Sequence, residues 1–151
     1  MKPRLNYYPL APESVKQLAA VSKTFDDFSI SPALRALIEI RVSQLNGCAY
    51  CVDMHSRQAR RLGELQRRLD ALPVWRESPF FDERERAVLA WTEALTLFAA
   101  THAPDDLYEA LGAHFSEKEV VELSLVIAVM NAWNRMGVGF RKVPEDVKPH
   151  K

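Results

Sequence analysis

The amino-acid sequence predicts an all-α fold of about six to seven helices, because apolar residues recur at helical spacing through nearly the whole chain. Five glycines occur among 151 residues, and no strand-like alternation of apolar and polar residues persists for long. Hydrophobic residues make up 48% and charged residues 26% of the chain, which is typical of a globular protein. We therefore expect residues 1–151 to form one helical domain with a buried core.

The first half of the chain divides into four predicted helices. The first covers Glu13 to Phe28, where apolar residues share one stripe. The dipeptide Ser31-Pro32 has the residue types preferred at the N-cap and first position of a second helix. That helix can end at Asn46-Gly47, and a third helix begins near Cys48 and runs to Gly63. A short amphipathic segment over residues 64–72 follows.

The second half opens with an irregular segment and then returns to helix. Pro73 to Phe81 contains two prolines and three aromatic residues, and we interpret it either as a lid or as an edge contact. Asp82 starts the next helix, with acidic residues in its first turn, and Pro104 precedes another. Ser116 to Glu119 match a capping box, which opens a last helix that runs to about Met136.

This last helix is apolar on most of its sides, so we expect it to be buried in the core or at a subunit interface. The glycines at Gly137 and Gly139 are expected to end it. The remaining residues, Phe140 to Lys151, have the composition of a polar tail.

Charge and hydropathy argue against nucleic-acid or membrane partners. The chain carries 20 basic and 20 acidic side chains, so its zero net charge gives no general attraction to nucleic acid or anionic lipid. The longest dense apolar run, Leu123 to Trp133, is too short to span a bilayer. The N-terminal residues lack the apolar segment of a signal peptide, so we expect a cytoplasmic protein.

The most informative feature is the cysteine pair, Cys48 and Cys51, followed four residues later by His55. At about 100 degrees per residue, all three side chains share one face of a helix. A disulfide between residues three apart would contribute about 2 kcal/mol at most through chain entropy, and it would tie nothing distant together. In a reducing cytoplasm, a Cys-x-x-Cys pair is more often redox-active or metal-binding. We therefore favour thiol–disulfide chemistry.

The order in which the thiols act is open, and two other interpretations remain. The imidazole of His55 leans toward Cys51, whereas the helix N-terminus favours the thiolate of Cys48. One alternative is a zinc site, with His55 as the third ligand and His102 or His114 as the fourth. Another is a pair of inert cysteines in the core.

The segment from Leu37 to His55, with its Cys-x-x-Cys-x-x-x-His spacing, closely resembles the core of the AhpD-like alkylhydroperoxidases of the carboxymuconolactone decarboxylase superfamily. The resemblance extends to residues 90–96 and 131–135. It implies an all-α fold and a homo-oligomer, either a trimer or a hexamer. It also implies a peroxide substrate that the cysteine pair reduces, and a dithiol electron donor. No bound cofactor or metal is implied, and the chain has no glycine-rich nucleotide loop.

Carried over to this chain, the resemblance makes Cys48 and Cys51 the redox pair and His55 the histidine of a proton relay. The glutamate that members carry twelve residues before the first cysteine is Ala36 here. Glu39, one turn later, either replaces it or is an ordinary charge on that helix. Glu93 is another possible carboxylate, because it lies in an otherwise apolar helix beside Trp91.

Further predictions concern the surroundings of the thiols and the reaction. Trp91, Met130 and Trp133 either line a pocket around the thiols or pack in the core. The lactone decarboxylases of the superfamily generally do not use the pair, so its presence argues against a decarboxylase-like, non-redox enzyme. A thiol-based stress sensor without turnover is the other alternative to a peroxidase.

Overall fold

The structure, a computed structural model, describes residues 2–144. It confirms the all-α prediction, since these residues form eight α-helices and two 3-10 helices and no strand. None of the described helices is long and apolar enough to cross a membrane. The α-helices are α1 Pro12–Thr24, α2 Pro32–Leu45, α3 Ala49–Arg61, α4 Gln66–Ala71, α5 Glu83–Thr96, α6 Phe98–Thr101, α7 Asp105–Gly112 and α8 Glu117–Gly139. The 3-10 helices are Phe25–Asp27 and Leu72–Glu77.

Side-chain caps define the helix starts that the sequence indicated. The Ser31 hydroxyl accepts a hydrogen bond from a backbone N–H in the first turn of α2, and a proline follows at the first helical position. Asp82 and Glu85 form a reciprocal capping box at the start of α5, and Ser116 and Glu119 form another at the start of α8. These short-range hydrogen bonds explain why local sequence was sufficient to place three helix starts.

Three helix predictions need correction. The first helix ends at Thr24 and tightens into a 3-10 turn, because Phe28 adopts an extended backbone and its ring packs on that of Phe25. The short helix α6 was not predicted, and it raises the count above seven. The last helix continues through Gly139 and does not stop at about Met136. Of the predicted tail, residues 145–151 lie outside the described part of the chain.

Helix α2 lies at the centre of the fold and is buried on both sides. On one side Ile38 and Val42 pack with residues of α8 and α3. On the other side Leu37 and Ile40 pack in a second cluster, which includes Leu89 of α5. The polar side chains of Glu39 and Ser43, which lie on α2 between the packed helices, are therefore shielded from water.

The irregular segment Pro73 to Phe81 packs along the edge of the second cluster. Trp75 and Phe81 are buried there, and Arg86 Nη1 donates hydrogen bonds to the Trp75 and Ser78 carbonyl oxygens, both at 3.0 Å. The segment contributes no residue to the cavity described below. Of the two predicted interpretations, the structure therefore shows the edge contact.

Candidate active site

The turn between α2 and α3 places both cysteines beneath α8. Asn46 caps α2 and Gly47 follows with φ of +68°, which lets the chain reverse. Cys48 is the N-cap of α3, and its backbone N–H donates to the Ser43 carbonyl oxygen at 3.0 Å. Cys48 and Cys51 form a disulfide with a Cα–Cα distance of 5.3 Å. Their residues are only 2% and 3% exposed, so reagents can approach the sulfurs only through an internal space.

His55, one turn after Cys51 on α3, and Glu39 of α2 form a second buried pair. The distance from His55 Nδ1 to Glu39 Oε2 is 3.1 Å, and about nine-tenths of each side chain is buried. Neither atom meets hydrogen-bond geometry with the other or with any other atom in residues 2–144. At this separation the Glu39 carboxylate forms an ion pair with His55 only when the imidazole is protonated. Nδ1 faces the carboxylate, which leaves Nε2 as the other proton-carrying atom of the ring.

A cavity of 270 Å³ adjoins this pair and opens onto one of the two cysteines. Cys51, His55 and Glu39 line it, whereas Cys48 is not among its lining residues. Most of the remaining wall is apolar or aromatic and includes Phe25, Tyr50, Met54, Val126, Met130 and Trp133. The cavity thus brings a sulfur, an imidazole and a carboxylate together at a largely apolar surface.

The two tryptophans and the methionine that were expected near the thiols divide between pocket and core. Met130 and Trp133 line the cavity, and the Trp133 indole N–H donates to Ser22 Oγ at 2.9 Å. Trp91 lies in the core instead, where its indole N–H donates to Ser124 Oγ at 3.0 Å.

Gly137 allows α8 to cross directly over the disulfide. A Cβ atom at this position would lie 2.9 Å from Cys48 Sγ and 3.4 Å from Cys51 Sγ, which is too close for the first sulfur. The glycine that the sequence suggested as a helix end is therefore inside the helix, where the absence of a side chain makes room for the sulfurs.

Two asparagines of α8 hold the turn that carries Cys48. Asn46 Nδ2 donates to Asn131 Oδ1 at 3.0 Å and to Asn134 Oδ1 at 2.9 Å. Asn134 Nδ2 donates to Ser43 Oγ at 3.1 Å. Buried polar groups with satisfied hydrogen bonds fix a single arrangement, so this network fixes the cysteine pair relative to α8. Asparagines in a long apolar helix are the sequence signal that could have indicated it.

The second carboxylate candidate, Glu93, is bound by other side chains away from the cavity. Its carboxylate accepts hydrogen bonds from Arg41 Nη2 at 2.6 Å, from Arg76 Nη1 at 2.5 Å and from Trp75 Nε1 at 2.8 Å. Burial raises the pKa of Glu93, but these hydrogen bonds outweigh it and the net pKa is lowered. Glu93 does not line the cavity, and Ala36 is buried in the second core cluster. Glu39 is thus the carboxylate that the structure places beside His55.

The zinc alternative has no matching cluster in the described chain. Among residues 2–144, no group of three or more His, Cys, Asp or Glu side chains is arranged to hold a metal ion. His102 and His114, the suggested fourth ligands, are both exposed.

Residues 11–94 match the model of the Carboxymuconolactone decarboxylase family. An all-α fold that holds a buried Cys-x-x-Cys pair beside a histidine is the arrangement expected of AhpD-like proteins. This protein belongs to the carboxymuconolactone decarboxylase family and is an AhpD-like member of it.

Similar proteins share both sequence and fold with this chain. The uncharacterized protein YdfG of Bacillus subtilis is 41% identical over 138 residues, which cover 91% of this chain and 94% of YdfG. The crystal structure of ATU0492 from Agrobacterium tumefaciens, a protein of unknown function suggested to be an antioxidant defence protein AhpD, has a TM-score of 0.93 and 41% identity. That match covers 99% of this chain and 100% of ATU0492. The debrominase Bmp8 has a TM-score of 0.82 and 25% identity, over 91% of this chain and 74% of Bmp8.

Proposed function

We propose that this protein is a thiol-dependent peroxidase, which reduces an organic hydroperoxide or hydrogen peroxide and is then recycled by an external dithiol. The observation that carries the proposal is the cavity in which Cys51, His55 and Glu39 meet. Its neighbour Cys48 is already joined to Cys51 in a disulfide, which is the oxidised product of such a reaction. Family membership and the similarity to ATU0492 support the same chemistry.

The proposed reaction begins at Cys51, because its sulfur is the one that adjoins the cavity. The Cys51 thiolate attacks the terminal oxygen of the peroxide, the O–O bond breaks, and the sulfur becomes a sulfenic acid. The alkoxide leaves and takes up a proton to become an alcohol. Cys48 then attacks the sulfenic sulfur, and water leaves as the disulfide forms. An external dithiol returns two electrons and two protons by thiol–disulfide exchange.

In this proposal, His55 carries the protons and Glu39 orients the ring. A histidine beside a thiol accepts its proton and so supplies the thiolate at neutral pH. The same imidazolium can protonate the leaving alkoxide. The Glu39 carboxylate, 3.1 Å from Nδ1, stabilises the imidazolium and directs Nε2 away from itself. Because most of the surrounding wall is apolar, these charges act at low dielectric, where they interact strongly.

A thiol titration tests the proposal. The reduced protein is expected to lose both cysteine thiols when it meets an equimolar amount of cumene hydroperoxide, and 5,5′-dithiobis(2-nitrobenzoate) under denaturing conditions counts those that remain. Protein kept in the disulfide form is the control. With excess dithiothreitol or dihydrolipoamide, we expect repeated turnover. Thiols that stay intact in excess peroxide would refute the peroxidase, and a single oxidation that no dithiol reverses would identify a sensor.

A second candidate reaction is reductive debromination, which the similarity to the debrominase Bmp8 and the aromatic cavity wall favour. There a carbon–bromine bond would become carbon–hydrogen, bromide would leave, and the two thiols would become the disulfide. The same titration with 2,3,4-tribromopyrrole, the molecule bound in a Bmp8 complex, separates the two. Thiol loss with bromide release, and no response to peroxide, would favour debromination.

We also propose that the chain forms a homo-oligomer, a trimer or a hexamer, as its family resemblance implies. An exposed apolar strip supports this: Val121, Leu125 and Ala128 follow one another on α8, and Ala128 adjoins Leu97 and Phe98 in a surface trough. Exposed apolar patches of this kind mark protein interfaces.

Light scattering at micromolar concentration measures the subunit count. Leu125→Asp is expected to dissociate the oligomer, because it introduces a charge into the strip. Leu62→Asp, at an equally exposed leucine at the end of α3 (46% against 43%), is expected to leave the subunit count unchanged. A wild-type monomer, or equal effects of the two variants, would contradict the proposed interface.

A further inference from the structure

The cavity has a basic section that no local sequence pattern predicts. It is formed by both ends of the described chain, which fold back over α3. Lys142 Nζ lies 4.0 Å from the centre of the Tyr50 ring and 4.9 Å from that of Tyr8. It also donates a hydrogen bond to Tyr8 Oη at 3.3 Å. Tyr7 stacks on Tyr8, with ring centres 4.7 Å apart. All four side chains line the same cavity as Cys51.

Backbone hydrogen bonds hold this section in place, so Lys142 is not a freely moving surface lysine. Its own N–H donates to the Gly137 carbonyl oxygen at 2.9 Å. The Arg4 N–H donates to the Phe140 carbonyl oxygen at 3.0 Å, which holds the N-terminal segment that carries the tyrosines. The residue that makes room for the disulfide therefore also anchors Lys142.

Within the described residues, Lys142 is the single lysine or arginine that lines the cavity, and no carboxylate lies at ion-pair distance from it. The carboxylate in the cavity, Glu39, is paired with His55. Burial lowers the pKa of Lys142, but interactions with Tyr50 and Tyr8 outweigh it, and the net pKa is raised above its usual value. Lys142 is therefore a cation at neutral pH, and it faces a space that also contains the reactive sulfur.

We propose that Lys142, framed by Tyr8 and Tyr50, binds a carboxylate of the substrate, so that the preferred substrate is a small apolar hydroperoxide with one carboxylate group. This rests on the proposed peroxidase function and adds a substrate class to it. An ammonium group forms a charge-assisted hydrogen bond with a carboxylate, and the largely apolar and aromatic cavity wall beside Lys142 suits a ligand whose remaining body is apolar. The 270 Å³ volume is just below the range for drug-sized ligands, and so fits a single substituted ring or a short chain.

Binding to the disulfide form tests the carboxylate site without any turnover. The probes are 4-isopropylbenzoate and its uncharged counterpart 4-isopropylbenzamide, which have nearly the same shape. By titration calorimetry, the wild-type protein is expected to bind the benzoate at least about tenfold more tightly, as a charge-assisted hydrogen bond would give. Lys142→Gln is expected to remove this preference and to leave amide binding unchanged. Arg141→Gln, at an exposed neighbouring cation outside the cavity lining, is the matched control and should behave as wild type.

Turnover provides the second measurement. The ratio of kcat/KM for 4-(2-hydroperoxypropan-2-yl)benzoate to that for cumene hydroperoxide is expected to exceed about ten in the wild type and to fall to about one in Lys142→Gln. Benzoate binding without turnover of either peroxide would refute the peroxidase but not the carboxylate site. Equal affinity of the wild type for benzoate and benzamide would overturn the carboxylate site, as would a preference that survives Lys142→Gln, whatever the peroxidase activity.

Discussion

Replacing Cys51 by serine is expected to abolish peroxide reduction, with a loss of at least about 1,000-fold in kcat, as for the removal of a catalytic nucleophile. The physical reason is access. Both cysteines are almost fully buried, but Cys51 lines the cavity together with His55, whereas Cys48 does not line that space. The remaining thiol of the Cys51→Ser protein would have neither a path to peroxide nor an adjacent proton acceptor. Stopped-flow measurement of peroxide consumption by the reduced protein checks this.

Cys48→Ser is the matched variant, because it removes the partner thiol and leaves the attacking one. This protein is expected to consume one equivalent of peroxide and to retain a sulfenic acid at Cys51, which dimedone labels for mass spectrometry. If Cys51→Ser reacts with peroxide while Cys48→Ser does not, the two thiols have the opposite roles, and the helix N-terminus outweighs the imidazole.

Glu93→Gln is expected to lower the free energy of unfolding by about 3 kcal/mol at pH 7, the lower end of the cost of breaking a buried ion pair. The carboxylate of Glu93 joins Arg41 of α2 to Arg76 of the 3-10 helix and also accepts the Trp75 N–H. Without the charge, Arg41 remains mostly buried with no counterion. The lower end applies because Arg76 is 56% exposed and water screens its part of the interaction. Urea denaturation of both proteins measures the difference.

The pH dependence of that difference provides a further check. Since the folded pKa of Glu93 lies below its ordinary value of 4.5, the carboxylate stabilises the folded state fully above the unfolded pKa. This contribution is lost as the pH falls from about 4.5 through the folded pKa. The gap between wild type and Glu93→Gln should therefore be constant from pH 6 to 7, within the region above both values, and should narrow below about 4.5. A gap that does not narrow in acid would contradict an ionised Glu93 as its source.

Glu39→Gln is the control that separates the two carboxylates. Because Glu39 touches His55 and Glu93 does not line the cavity, Glu39→Gln is expected to slow the reaction with peroxide by up to about 100-fold. Glu93→Gln is expected to react at the wild-type rate wherever it is folded. A wild-type rate for Glu39→Gln together with a slow reaction of Glu93→Gln would instead identify Glu93 as the carboxylate of the proton relay.

The sequence was sufficient for features that depend on neighbouring residues. Helical periodicity, the caps at Ser31 and Ser116, and the shared face of Cys51 and His55 all follow from spacing of a few residues along one helix. The choice between Glu39 and Glu93 did not follow, because it depends on which side of α2 faces α3 and which faces α5. Only tertiary packing decides that.

The missed parts of the site come from distant segments of the chain. Lys142 and Tyr8 reach the cavity because the two ends of the described chain are hydrogen-bonded back over the helices, and no periodicity near either residue encodes that path. The sequence predicts a helix end at Gly137, because glycine is common at that position. Its actual role depends on a sulfur that belongs to another helix.

Because α8 contacts the disulfide, the site depends on two separate sequence motifs. One is Cys-x-x-Cys-x-x-x-His, and the other is Asn-x-x-Asn-x-x-Gly, formed by Asn131, Asn134 and Gly137. The second motif belongs to the part of α8 that covers the disulfide. Its two asparagine side chains accept hydrogen bonds from the turn before Cys48, and its glycine leaves space for the two sulfurs. A chain that contains only the Cys-x-x-Cys-x-x-x-His motif would have to cover its thiols with a different packing arrangement. A search of genomes for both motifs in one chain would therefore select proteins by the structure around the thiols, and not by the thiols alone.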